Sequence, residues 1–343
     1  MKFLPALGCA YPSTLGGIRQ LLALRNRTIG TFVLALTALV CIETVGSTPR
    51  QAADGGSISH PVRLGVTTPG VAPNSRHVRR ALERYVALVG RKPSIVMWYE
   101  PWYAGPLIVP HVMNAVRHCG ALPMITWMPR DSPFAGASLS GIASGSYDGY
   151  LERSAAAARA WGHPLLLRPF HEMNGRWTPW AVGVRGNTAA EFVAAWRHIV
   201  TVFRSEGATN VRFVFSPNVI SPNSPDFRPE YPGDRYVDWV ALDGYNWGTS
   251  VRGQHWRSFR DVFAHSYDVL TSVSSRPMMI AETASSESGG DKSLWIARAF
   301  RDDMQEFPRV RAVVWFNHRT KTTWPITSSR ASLDAYRAVA KAE

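Results

Sequence analysis

A (β/α)8 TIM barrel, an α/β fold forming a single catalytic-sized domain, is what this sequence predicts, on three observations. From residue 62 onward, short runs rich in Val, Ile, Leu, Phe and Met alternate with longer stretches of helical period. The apolar runs are continuous rather than alternating, as in parallel strands covered on both faces. Eight such strand–helix units fit into about 280 residues with no linker between them, which is the arithmetic of one barrel. An open doubly wound sheet is the alternative. It calls for a glycine-rich phosphate turn after the first strand, and Gly65-Val66-Thr67-Thr68-Pro69-Gly70 is not one.

Strands are expected at Arg63–Thr67, Ile95–Trp98, Leu122–Trp127, Leu165–Phe170, Val211–Ser216, Trp239–Asp243, Met278–Ala281 and Ala312–Phe316. Between them lie helix candidates such as His77–Val89, Pro110–Cys119, Asp148–Trp161, Ala189–Glu206, Trp256–Ser272, Ser293–Phe307 and Ser332–Lys341, where the sequence is alanine-rich or carries apolar residues at three- and four-residue steps. Residues 62–343 thus form the barrel, residues 47–61 read as a linker, and residues 1–46 read as a secretory signal or signal anchor. The last reading rests on Arg25 and Arg27 before the apolar run Ile29–Ile42, with small residues Gly46 and Ser47 after it. That run is shorter than the roughly 18 residues a membrane-spanning helix needs. Secretion to the extracellular space follows as an expectation, with no membrane contact beyond an N-terminal anchor if the segment stays uncleaved.

Composition narrows the function. The chain of 343 residues is 45% hydrophobic, too much for a disordered chain and too little for a polytopic membrane protein. Its three Cys, at positions 9, 41 and 119, make neither a disulfide scaffold nor a metal-ligand spacing. The net charge of +13 raises a nucleic-acid reading, but the basic residues, 33 of 38 being Arg, are scattered over all the helices in runs no longer than two. No nucleic-acid partner is therefore expected. The 13 Trp are the less usual number.

In a barrel, chemistry collects where the strands end. The exits read MWYEPW, TWMPRD, RPFHEMNGRWTPW, SPN, DGYNW, AETAS and WFNH for strands two to eight. Two carboxylates stand out. Glu172 closes the fourth strand and Glu282 the seventh, each directly after an apolar run where a charge without a task is costly to desolvate. Their strands face each other across the mouth, and a facing carboxylate pair is what glycosidic cleavage requires. A single Glu there could equally be an ion-pair partner of Arg168. His171-Glu172 lacks the second His of a zincin helix, since position 175 is Gly, so no metal site is read from it. Its His is read as hydrogen-bonding substrate or orienting a neighbour.

The Trp residues sort by position. Trp161, Trp196, Trp239 and Trp295 fall in elements and read as core. Trp98, Trp102, Trp127, Trp177, Trp180, Trp247, Trp256, Trp315 and Trp324 fall at exits or in the loops beyond. Indole faces stack on the C–H faces of sugar rings and leave hydroxyls to Asn174, Asn218 and Asn246, so Trp98, Trp127, Trp247, Asn174 and Asn246 are expected in a substrate cleft; Trp256 and Trp180 are expected to brace loops.

RPFHEMNGRWTPW, GDRYVDWVALDGYNW and MMIAETAS together resemble glycoside hydrolase family 26, best known for endo-β-1,4-mannanases, over residues 62–335 or so. The resemblance implies a (β/α)8 barrel with Glu172 as acid/base and Glu282 as nucleophile. It gives His171, Trp177, Tyr245 and Trp315 supporting roles: the His before the acid/base, the aromatic five residues on, the Tyr whose hydroxyl holds the nucleophile, and the Trp flooring the cleavage subsite. It further implies a retaining double displacement with carboxyl groups roughly 5–5.5 Å apart, Glu282 kept ionised by Arg168 and Tyr245, no metal or organic cofactor, a polysaccharide substrate and a monomer. β-1,4-Mannan is the expected polymer, with mixed-linkage β-glucan or β-1,3-xylan as alternatives within the family. A non-catalytic carbohydrate-binding barrel is the rival from another class, and the presence of both Glu residues counts against it.

Overall fold

The structure, a computed structural model, describes residues 62–342. The signal, anchor and linker readings lie outside the described residues. Eight parallel strands close into a barrel in chain order: β1 (Arg63–Thr67), β2 (Ile95–Pro101), β3 (Leu122–Met128), β4 (Leu165–Pro169), β5 (Val211–Phe215), β6 (Trp239–Asn246), β7 (Met278–Ser285) and β8 (Val310–Phe316). β1 pairs with β8 to complete the ring, Arg63 beside Ala312 and Thr67 beside Phe316. Around it lie α1 (Val78–Val89), α2 (Pro110–Cys119), α3 (Leu139–Ala143), α4 (Asp148–Trp161), α5 (Ala189–Ser205), α6 (Phe259–Val273), α7 (Lys292–Arg301) and α8 (Arg330–Ala342). The short α3 is the one α-helix here that was not expected. Its start is set by Ser138, whose side chain accepts from Gly141 N.

Strand side chains alternate between two cores. Ile95, Met97, Met124, Leu166, Val214, Ala241, Met279, Ala281, Ala312 and Val314 fill the barrel interior. Their neighbours in sequence, including Val96, Trp98, Ile125, Trp127, Val313 and Trp315, form the larger layer between strands and helices. Gly65 belongs to the inner set, because a Cβ there would stand 2.9 Å from both Ile95 Cβ and Val314 Cγ2. α5 begins at a T-x-x-E capping box, Glu191 N donating to Thr188 Oγ1 at 3.2 Å and Thr188 N to Glu191 Oε2 at 2.9 Å. α6 begins the same way at Ser258 and Asp261. These two capped starts fix the far ends of the loops that leave β4 and β6 on the C-terminal face.

Candidate active site

The chain turns sharply as it leaves β4. Phe170 and Glu172 both take left-handed backbone, with φ of 52° and 54°. Such a conformation costs about 1–3 kcal/mol for a non-glycine residue and persists where packing dictates it. Here the buried Phe170 ring packs 5.3 Å from Phe192 and 6.3 Å from Trp196 of α5. Glu172 N donates to Ser216 O at 2.8 Å, tying the turn to the end of β5. The Glu172 carboxylate then accepts from Trp177 Nε1 at 2.5 Å on one oxygen and from Asn218 Nδ2 at 2.8 Å on the other. Asn174 aims Asn218: its Oδ1 accepts from Asn218 N at 2.9 Å, and its Nδ2 donates to Asn218 O and Pro225 O, both at 2.9 Å. Gly175 makes room for this arrangement, since a Cβ there would lie 2.3 Å from the Trp177 ring.

Glu282 reaches the mouth by a register slip. Met279 and Ala281 face the interior, so strict alternation turns residue 282 outward. The β6–β7 pairing shifts between Leu242 and Asp243, and the β7–β8 pairing shifts between Ile280 and Thr283. This bulge re-aims Glu282 inward. One Glu282 oxygen accepts from Arg168 Nη2 and the other from Tyr245 OH at 2.5 Å. Arg168, inward on β4 and fully buried, also donates through Nη1 to both Asp243 oxygens at 2.9 Å and to Ser216 Oγ at 3.2 Å, and through Nε to Thr126 Oγ1 at 2.9 Å. One guanidinium thus bridges two carboxylates.

The two Glu residues sit in opposite environments. Burial pushes Glu172 up, the Glu282 charge adds to this, and the Trp177 and Asn218 donors offset it only in part, leaving a pKa of about 7. Burial also acts on Glu282, but Arg168 and the Tyr245 hydroxyl outweigh it and hold that carboxyl below the usual carboxylate value. Burial and the Glu282 charge raise Tyr99 and Tyr245, so both hydroxyls remain donors. Burial and the Arg168 charge lower His171 to about 3, so its imidazole is neutral. Its Nδ1 is buried without a hydrogen-bond partner, and its ring lies 5.7 Å from Tyr99 and 5.3 Å from Trp180.

Glu172, Glu282, Arg168, His171, Trp177 and Tyr245 therefore meet in one cleft. Trp177 is 45% exposed and offers an open ring edge. Trp247 is half-buried on the rim, 6.0 Å from Tyr245 and 5.8 Å from Lys321 Nζ. Asn174 serves the cleft indirectly, through Asn218. The structure corrects the expectation for the others. Trp98, Trp127, Trp315 and Asn246 point away from the mouth and are buried. Trp98 donates to Glu100, Trp127 packs against Tyr150 and Phe203, and Trp315 packs against Trp295 of α7 and Tyr336 of α8. Asn246 donates to Ser285 Oγ and accepts from the backbone of Gly248 and Arg257. The reason is parity: a residue near a strand end faces the mouth only if it alternates with the inner set. On β8 the inward aromatic is Phe316, 5.8 Å from Tyr245 and 5.1 Å from His318.

Four residues of the cleft went unread in the sequence: Asp243, Tyr99, Phe316 and His318. Asp243 carried a signal, as a charge set within an apolar run two residues before Tyr245. Tyr99 shares parity with Met97. Among the described residues, no group of three or more His, Cys, Asp or Glu side chains could hold a metal ion.

Residues 147–278 match the sequence model of glycosyl hydrolase family 26. Endoglucanase H of Acetivibrio thermocellus is 41% identical over 261 residues, 75% of this chain and 28% of that protein. A mannan endo-1,4-beta-mannosidase of Bacillus subtilis strain 168 is 31% identical over 145 residues, 39% of this chain and 35% of that protein. The chain thus spans about a third or less of the length of these relatives. Among solved structures, the catalytic domain of the Bacillus sp. JAMB-750 GH26 endo-beta-1,4-mannanase superposes with a TM-score of 0.63 at 18% identity, covering 82% of this chain and 86% of that one. A modular endo-beta-1,4-mannanase from Cellulomonas fimi superposes with a TM-score of 0.61 at 15% identity, covering 82% and 70%. These structural likenesses bear on the fold, and they agree with the closed barrel found here. The sequence matches make the chain similar to glycosyl hydrolase family 26, with the family model falling on the stretch that carries Glu172 and Tyr245.

Proposed function

We propose that this barrel is a retaining endo-glycosidase cleaving a β-linked polysaccharide, most simply β-1,4-mannan. The observation that carries the reading is the pair of carboxyls in one cleft with opposed electrostatics, Glu282 buried and Glu172 half-buried. Glu282, ionised against Arg168 and Tyr245, attacks the anomeric carbon. Glu172, protonated near neutrality, gives its proton to the departing glycosidic oxygen, and a covalent glycosyl-enzyme forms. Esterification of Glu282 removes the negative charge that helps hold the Glu172 proton, so Glu172, having given its proton to the leaving oxygen, stays ionised and accepts one from the incoming water. Water attack then releases the sugar and restores both groups. No step calls for a metal or organic cofactor.

Mannan is supported by the mannosidase relatives. A second reading, cleavage of a β-glucan, is supported by the longer match to an endoglucanase, although that relative is more than three times the length of the matched region. Reducing-sugar release and product analysis on mannan, mixed-linkage glucan and β-1,3-xylan separates them. Glu172→Ala and Glu282→Ala should each nearly abolish release while the protein stays folded; full activity in either variant sinks the reading. Export belongs to the same proposal, because a polymer substrate is met outside the cell and Ile29–Ile42 follows Arg25 and Arg27.

A further inference from the structure

Lys292 opens α7, where its flexible stem could reach water, yet its side chain is fully buried. Its Nζ donates to Thr323 O at 2.6 Å, Pro325 O at 2.8 Å, Ser328 Oγ at 2.8 Å and Trp324 O at 3.1 Å. Every acceptor lies on the loop between β8 and α8. Trp315 adds a second tie to that loop, donating through Nε1 to Trp324 O at 3.0 Å, and its ring lies 5.7 Å from Nζ. Glu287 is the carboxylate nearest in this network. It accepts from Ser328 Oγ at 2.6 Å and Ser332 Oγ at 2.7 Å, while its N–H donates to Thr323 Oγ1 at 2.8 Å.

The loop so fastened carries Trp324. This buried indole lies 5.0 Å from the Tyr245 ring and 4.8 Å from the Trp247 ring. Tyr245 in turn donates to Glu282 at 2.5 Å. A run of direct contacts therefore leads from the Lys292 ammonium, through the Trp324 backbone and ring, to the tyrosine that holds Glu282.

We infer that Lys292 is a positioning residue: by fastening the Thr323–Ser328 backbone it seats Trp324 against Tyr245 and so fixes Tyr245 on Glu282. The inference rests on the reading of Glu282 as nucleophile. A lysine that only stabilised the loop would affect melting and nothing else, which sets the experiment.

Lys292→Met keeps the length and apolar stem and leaves four acceptors without their cation. It should lower kcat roughly tenfold with little change in KM, since a small displacement of a supporting group is felt mainly in the transition state. The acid limb of the kcat/KM profile should move to higher pH, because a displaced Tyr245 no longer favours the ionised Glu282. That limb is read where Lys292 is charged, burial having brought its pKa down to about 7 against the opposing pull of Glu287. Tyr245→Phe should move the limb the same way, and the double variant should be no worse than Tyr245→Phe alone. Ser328→Ala, a milder change, should act in the same direction and serves if Lys292→Met does not fold. Lower melting with an unchanged acid limb and kcat, or independent effects in the double variant, would overturn the inference. The indole N–H resonances of Trp324 and Trp247 give a readout that needs no turnover. They should shift in Lys292→Met, and unshifted signals overturn the seating of Trp324 even if the wild-type chain cleaves no β-glycan, a result that would by itself defeat only the proposed reaction.

Discussion

Trp177 Nε1 donates to Glu172 Oε2 at 2.5 Å, and the donor comes from an indole that is otherwise largely open to solvent. An N–H aimed at a carboxylate favours the charged form, so this contact works against the burial that raises Glu172 to about 7. In the proposed reaction Glu172 must be protonated to act as acid, and activity falls as pH rises through that value. Trp177→Phe should therefore move the basic limb of kcat/KM to higher pH, because the proton is held more tightly once the donor is gone. The acid limb, set by Glu282, should stay where it is. A basic limb that stays put or moves down counts against Glu172 as the acid.

Gly175 is required by space rather than by its backbone angle. A Cβ would meet three Trp177 ring atoms between 2.3 and 2.6 Å. Gly175→Ala should push the indole off Glu172 and reproduce the basic-limb shift of Trp177→Phe. Combining the two substitutions should add little, since both remove the same contact. The pH profiles of the two single variants and the double variant check this.

Among the described residues, Arg168 is the one cation that bridges Asp243 and Glu282, and its planar fork makes bonds that an ammonium cannot reproduce. Arg168→Lys can approach one carboxylate at a time. It should cost about a hundredfold or more in kcat/KM and raise the acid limb, because Glu282 loses the charge that holds it ionised. Arg168→Met leaves two buried carboxylates facing each other and should cost about 3–5 kcal/mol of stability. Denaturant titration of the Met variant and the pH profile of the Lys variant test the two statements separately.

The barrel was legible because each strand is a continuous apolar run, and the two Glu residues were legible because charge directly after such a run is rare. Which face a strand-end residue takes was not legible, for a physical reason. The last five residues of β8 read AVVWF, apolar at every position, so nothing in the run distinguishes Trp315 from Phe316. On β2 the expected end at Trp98 made that residue an exit, whereas the strand continues to Pro101 and Tyr99 takes the inward place. The bulge that turns Glu282 inward leaves no mark in the sequence either. Lys292 was illegible for another reason: three of its four acceptors are backbone carbonyls thirty or more residues away, which no side-chain pattern reveals.

Glu100 offers a prediction about stability rather than catalysis. It points outward from β2 into the layer beneath α4, fully buried, with Trp98 Nε1 donating to one oxygen at 3.3 Å and no partner on the other. Burial raises it to about 8. An unfolded chain releases this proton near pH 4.3 while the folded chain keeps it to about 8. Across that window the folded state binds more protons, so stability declines as pH rises, by an amount of order a few kcal/mol at most. Glu100→Gln keeps the shape and has no proton to lose. It should leave the melting temperature nearly unchanged at pH 4 and raise it progressively from pH 5 to 8, so that the variant outlasts the wild type on the alkaline side. Melting curves taken across that range decide it: parallel curves for the two proteins would mean that Glu100 does not carry its proton into the neutral range.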